Sequence, residues 1–284
     1  MKKFIALVLA MVMVFALCAC SSNDNGSNDN NNDASDVKLK ILDTEYVTED
    51  YAIGIAKENT DLLNKVNAAL KELKDDGTLQ TVIDYFISGT GTLPEVQKNV
   101  ADDAEELVMA TNATFPPYES VDGDQIVGID PTVAGLIADK LGMKLVIDDM
   151  EFDAIIPALT AGKADIAMAG MTVTEERLQS INFSDSYATG VQVMIVKEGS
   201  DISGYDDMVA KIENGENIQI GGQVATTGYI YASDTIENGG FGEDHVQAFP
   251  KGADAIAALT SGKIDCVIID NEPAKAFVEA NNNG

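Results

Sequence analysis

Four places in this chain carry side chains that could grip a small charged molecule. Phe115 stands before Pro116 and Pro117, whose rings stiffen the backbone around it. Thr172 and Arg177 lie five residues apart, across what reads as a strand end and a helix start. Thr226 and Thr227 precede Gly228 at another strand-to-helix turn, and Asp270 closes the hydrophobic run 266–269. Together they offer a flat apolar face, a guanidinium fork, donors at helix N-termini and one carboxylate. That set suits a free α-amino acid. The ligand carboxylate fits bidentate pairing with Arg177 and backbone N–H groups. The ligand ammonium fits Asp270, the Gly170 carbonyl and the Thr172 hydroxyl, while Phe115 and Phe152 flank the side chain. Each residue alone has a plainer use. Glu175 and Glu176 could hold Arg177 at the surface, Thr-Thr-Gly is common turn chemistry, and Asp270 could cap a helix near Pro273.

The elements that would position these groups appear in a repeat. The phrase ALTAGKADIA (158–167) returns as ALTSGKIDCV (258–267). Each copy is an apolar run at helical spacing, ended by Gly and followed by a short hydrophobic strand. One helix–strand unit used twice implies two similar α/β lobes. Ligands in open α/β sheets bind beyond the carboxyl ends of strands. That rule points to Gly170, Met171 and Thr172 in one lobe and to Asp270 and Asn271 in the other.

The chain has 284 residues, no tryptophan and a net charge of −29, which argues against nucleic acid and anionic membranes as partners. Residues 1–20 read as a secretory signal, with Lys2 and Lys3 ahead of an apolar stretch. Its Leu-x-Ala-Cys ending resembles a bacterial lipobox, which makes Cys20 the lipidation site and discards Cys18. Residues 21–36 are a polar, low-complexity tether. Cys266 then reads as a core residue, without a disulfide. No metal site or cofactor is expected, because no phosphate loop, HExxH or GxSxG occurs. Residues 37–47 alternate like a strand, residues 88–106 read as an acidic, weakly helical linker, and Asp130-Pro131 reads as a helix N-cap followed by Pro.

The order of these features brings a resemblance. ATNATFPPYE (110–119), GIDPTVAGLIADKLG (128–142), the stretch 152–187, ATTG (225–228) and VIIDNEPA (267–274) are similar to motifs of the extracellular solute-binding proteins of polar amino-acid ABC transporters. The resemblance implies a two-lobed, periplasmic-binding-protein-like type II α/β fold with two hinge strands, closing on its ligand. It implies that Phe115 stacks on the ligand and that Gly170, Thr172 and Arg177 hold it from one lobe. Thr227 and Asp270 would hold it from the other, with Asn112 and Phe152 lining the side-chain pocket. The implied partner is an ABC transporter permease, reached by a monomer at the outer face of the membrane through its lipid anchor only. Such a protein binds and delivers an amino acid without catalysis. A sensing domain and a dehydratase-like enzyme are the alternatives.

One departure stands out. The piece that ends the family's chain resembles residues 37–87, at the front here, so the expected order is circularly permuted. Residues 37–47 then supply a front strand of lobe 2, residues 50–195 form lobe 1 including the linker 88–106, and residues 198–284 form the rest of lobe 2. The hinge strands are expected at 51–57 and 191–197. Binders of cationic amino acids in the family tend to place an acid where Asn112 stands, so a neutral polar ligand such as glutamine is expected.

Overall fold

The computed structural model describes residues 37–284, apart from Asn99 and Asp102. The expected signal, Cys20 and the tether lie outside the described residues. Two mixed sheets share one design. In lobe 1, β4 (Glu106–Thr111) lies parallel to β8 (Lys144–Asp149) and β9 (Ile166–Ala167). Strand β3 (Gly54–Ala56) runs antiparallel beside β9, and β10 (Ile181–Phe183) forms the edge, giving the order β10-β3-β9-β4-β8. In lobe 2, β12 (Ile220–Gln223) lies parallel to β13 (Val246–Phe249) and β14 (Cys266–Asp270). Strand β11 (Ala188–Lys197) runs antiparallel beside β14, and β1 (Leu39–Ile41) forms the edge, giving the order β1-β11-β14-β12-β13. The repeated phrases occupy equivalent places: helix α4 (Ile155–Thr160) leads to β9, and α8 (Gly252–Thr260) leads to β14.

Helices cover both faces of each sheet, so central strands bury both their faces. All five residues of β14 are buried, as an apolar run with a single terminal acid would require. In lobe 1, α1 (Thr60–Asp75) turns Leu62, Val66, Ala69, Leu70 and Leu73 into the core at helical spacing. The following helix, α2 (Thr78–Ser88), begins after the left-handed Gly77. Residues 89–105 contain no described helix. Gln97 pins them: its side chain donates to Asp139 Oδ1 at 2.8 Å and accepts from Leu145 N at 2.8 Å. The weak helical pattern expected there yields to this packing against α3 (Ile129–Leu141).

Helix α3 also departs from expectation. It starts one residue before Asp130, with Gly128 as its cap, and the Asp130 side chain is fully buried. The strand expected over residues 37–47 is broken as well. Leu42 N donates to Met194 O and Tyr46 N to Gln192 O, so residues 43–45 loop out where three residues of β11 face five. The chain re-enters as β2 (Val47–Tyr51), pairing with residues 188–192 of β11. Strands β2 and β11 are therefore the pair running between the lobes, and the first begins four residues before the expected 51.

Strand β1 is closed onto the last helix, α9 (Asn271–Asn283). The Asn282 amide accepts from Leu39 N and donates to Leu39 O, both at 2.9 Å, as a neighbouring strand would. Asn281 Nδ2 donates to Val37 O at 2.8 Å. Replacing Asn282 with Ala should cost about 1–2 kcal/mol in urea unfolding, because two backbone groups of β1 lose their partner.

Candidate functional site

The cleft between the lobes lies beyond the carboxyl ends of β4, β9, β12 and β14. It is lined by all eight expected residues: Asn112, Phe115, Phe152, Gly170, Thr172, Arg177, Thr227 and Asp270. Glu119, Ala169, Gln223 and Thr226 join them.

Arg177 sits in α5 (Glu175–Ser180), whose Thr174 cap accepts from the Arg177 N–H at 3.1 Å. This turns its side chain inward to 7% exposure, so Glu175 and Glu176 do not hold it at the surface. Nη1 donates to Thr172 O at 2.8 Å and Nη2 to Ala225 O, in the other lobe, at 3.0 Å. The guanidinium also lies over the Phe152 ring, 5.3 Å from its centre. Among the described residues no carboxylate comes within ion-pair distance of it. Burial lowers its pKa, and the charge of Glu49 is the largest of the opposing influences.

Asp270 ends β14 and makes no capping bond to α9. Its Oδ1 accepts instead from the Tyr51 hydroxyl. Burial and then the charge of Glu49 push Asp270 up to about 7, against hydrogen bonds from Tyr51 and Gln192 that pull it down. Gly170 has φ 53°, and a side chain there would start 2.7 Å from the Phe115 ring. Only glycine lets that ring reach the cleft wall. The Gly170 N–H donates to Asp130 Oδ2 at 2.9 Å, and Tyr187 donates to Asp130 Oδ1 at 2.7 Å. Asp130 is thus a distant support for the site, and burial raises it to about 6. Asn112 donates to Met150 O at 2.8 Å and accepts across the cleft from Gln223 at 3.0 Å.

Local patterns missed three residues. Glu49 and Tyr51 occupy alternate, inward positions of β2, and alternation with an acid inward was the one available signal. Glu119 pairs opposite Phe115 in the small sheet of β5 (Thr114–Phe115), β6 (Glu119–Asp122) and β7 (Gln125–Val127). It is wholly buried, no N–H or hydroxyl donates to its carboxyl oxygens, and its carboxyl lies within hydrogen-bonding reach of Asp130. Burial and the neighbouring Asp130 raise it well above the usual carboxylate range. The sole histidine, His245, bonds Ile218 O at 2.9 Å and is not among the residues that line the cleft. Cys266 is a buried core thiol whose pKa burial raises. Among the described residues no acid, His or Cys cluster could hold a metal, and no helix is long and apolar enough to cross a membrane.

Two matching α/β lobes with a buried cation and carboxylates in the cleft define a two-lobed ligand-binding protein. The chain belongs to the bacterial extracellular solute-binding proteins, family 3, whose profile matches residues 107–259. It is 38% identical to an arginine-bound ArgBP variant from T. maritima, covering 62% of this chain and 78% of that one with a TM-score of 0.55. An ancestral arginine-binding protein, solved with arginine, is 37% identical with a TM-score of 0.56, covering 63% and 75% of the two chains. The arginine-binding extracellular protein ArtP of Bacillus subtilis (strain 168) is 30% identical over 63% of this chain. The chain spans 66% of that relative's length. These proteins are all named for binding, none for an enzymatic reaction.

The buried acids set a pH dependence. Their folded-state pKa values stand above the ordinary carboxylate value near 4, so folding favours their protonated forms. Stability from this source is complete below that ordinary value and is lost as pH rises through about 6 for Asp130 and about 7 for Asp270. Thermal melts should therefore fall between about pH 4 and pH 7 and level off above that. Asp270→Asn should flatten the slope, and a slope unchanged by that substitution would contradict the assignment.

Proposed function

We propose that this protein captures a free amino acid with a cationic side chain, arginine foremost, outside the cell and delivers it to an ABC transporter permease. The ligand lies between Phe115 and Phe152. Its carboxylate meets Arg177 and the backbone N–H groups near Thr172 and Thr227. Its ammonium meets Asp270, the Gly170 carbonyl and the threonine hydroxyls. The observation carrying this reading is the imbalance of buried ionisable groups: one basic, Arg177, against four acidic, Glu49, Glu119, Asp130 and Asp270, of which burial pushes Glu119, Asp130 and Asp270 toward their neutral forms. A zwitterion leaves that imbalance in place, whereas a guanidinium beside Glu119 adds a positive charge that favours its ionised form and brings N–H donors to carboxyl oxygens that no N–H or hydroxyl of the protein reaches.

This revises the neutral polar ligand expected from Asn112. The acid that the position of Asn112 lacks is supplied by Glu119, seven residues on and across a hairpin. The names of the relatives favour the same choice, while the ancestral arginine-binding protein has also been solved with glutamine, at 37% identity to this chain. Glutamine is therefore the comparison ligand. The reading is one of binding without turnover: Asp270 and Arg177 hold the ligand's backbone groups, and Glu119 acts as a counter-charge. Cys20 carries the anchor, and the protein works as a monomer.

Calorimetry should show arginine binding more tightly than glutamine, with unchanged arginine recovered afterwards. Arg177→Ala should weaken arginine by at least about a hundredfold, since an unpaired buried charge costs about 3–5 kcal/mol. Glu119→Gln should weaken arginine and spare glutamine. Equal affinity of the wild type for both ligands would sink the cationic reading.

We also infer the permuted order. In lobe 1 the chain passes from β9 through α5 to the edge strand β10, while in lobe 2 it passes from β14 into α9, whose end meets the equivalent edge strand β1. Joining α9 to β1 would make the lobes equivalent. A chain rebuilt with residues 37–88 after residue 284 should fold and bind the same ligand, and failure to fold would count against the inference.

A further inference from the structure

Glu49 lies behind the cleft wall and is not among the residues that line it. It projects from β2, the strand between the lobes, and is 5% exposed. Its Oε2 accepts three hydrogen bonds: from Thr172 Oγ1 of lobe 1 at 3.1 Å, from Thr227 Oγ1 of lobe 2 at 3.0 Å, and from Gln192 Nε2 of β11 at 2.9 Å. A hydroxyl has one proton to donate. Once Thr172 and Thr227 donate to Glu49, both can present only lone pairs to anything else. Their oxygens lie 3.4 Å apart and both residues line the cleft. Two acceptors side by side repel a carboxylate and attract an ammonium.

We propose that Glu49 is a positioning residue that fixes the Thr172 and Thr227 hydroxyls as acceptors, and so reserves their part of the cleft for the ligand's α-ammonium. The inference rests on the amino-acid reading above. It adds a division of labour to it. Carboxylate recognition falls to Arg177 and backbone N–H groups, whereas ammonium recognition falls to Asp270 and two hydroxyls oriented from behind. The threonines come from different lobes and share one oxygen of Glu49, so the pair of acceptors exists only when the lobes are closed. Ammonium recognition is thereby tied to closure. The Tyr231 phenol also lies within hydrogen-bonding reach of the Glu49 carboxylate. The negative charge of Glu49 reaches Tyr231, whose phenol burial and Glu49 together push up to about 12.

The test compares arginine with its desamino analogue, the same guanidino acid bearing hydrogen in place of the ammonium. The ratio of the two affinities is measured in the wild type, Glu49→Met and Glu49→Gln. Met removes the acceptor at similar length, while the Gln carbonyl can still accept from both hydroxyls. Glu49→Met should lower the ratio by at least about tenfold, chiefly through arginine, and Glu49→Gln should restore most of it. If Glu49→Met does not fold, Thr172→Val with Thr227→Val removes both acceptors in a Glu49 background and should lower the ratio as much. Equal losses for both ligands would mark Glu49 as a structural latch and overturn the proposal, as would an unchanged ratio in the double threonine variant. A wild type that binds no amino acid overturns the functional reading and this proposal with it, whereas intact arginine binding with an unmoved ratio overturns this proposal alone.

Discussion

Arg177 is the one buried cation among the described residues, and no carboxylate among them comes within ion-pair distance of it. Burying a guanidinium without a counter-charge is costly, and the fold offsets that cost only in part, with two carbonyls, an aromatic face and the distant charge of Glu49. Opposite it stand acids in the reverse position, buried and pushed toward protonation for want of a cation. Neither set satisfies the other directly, since among the described residues no carboxylate comes within ion-pair distance of Arg177. The ligand-free site is thus a frustrated arrangement, which a molecule carrying both signs of charge would relieve. Lobe closure is favourable to the extent that it brings that molecule into contact with both halves.

The strand pair β2 and β11 is what makes the two halves one site. Tyr51 reaches from β2 to Asp270 of lobe 2 and packs edge-on against Tyr118 of lobe 1, which stacks in turn on Phe115. Glycine at 190 leaves the space that the Tyr51 ring fills. Glu49, two residues earlier on the same face, touches a threonine from each lobe. Supports of this kind lie outside the residues that would touch ligand, yet they decide which way those residues present their donors and lone pairs. The same holds for Asp130, which fixes the Gly170 backbone from inside α3.

Much of this was legible locally. The twofold phrase marked equivalent helix–strand units because helical spacing, a Gly stop and a short apolar strand are written in consecutive residues. The strand-end rule pointed to Gly170, Met171 and Thr172 in one lobe and to Asp270 and Asn271 in the other, and of these Gly170, Thr172 and Asp270 line one cleft. The strand over 37–47 and the cap at Asp130 were misread for a common reason. A bulge opposite β11 and a carboxylate reaching forty residues along the chain are both set by partners that no local window contains.

The sequence by itself determined the lobes, their repeated unit and the residue types at the cleft mouth, because periodicity and turn chemistry act between near neighbours. Tertiary structure alone decided that the carboxyl groups of Glu119, Glu49 and Asp130 are buried around the site. An acid reads as a surface residue until its whole environment is assembled. The proposed cationic ligand rests on that environment rather than on the Asn at 112.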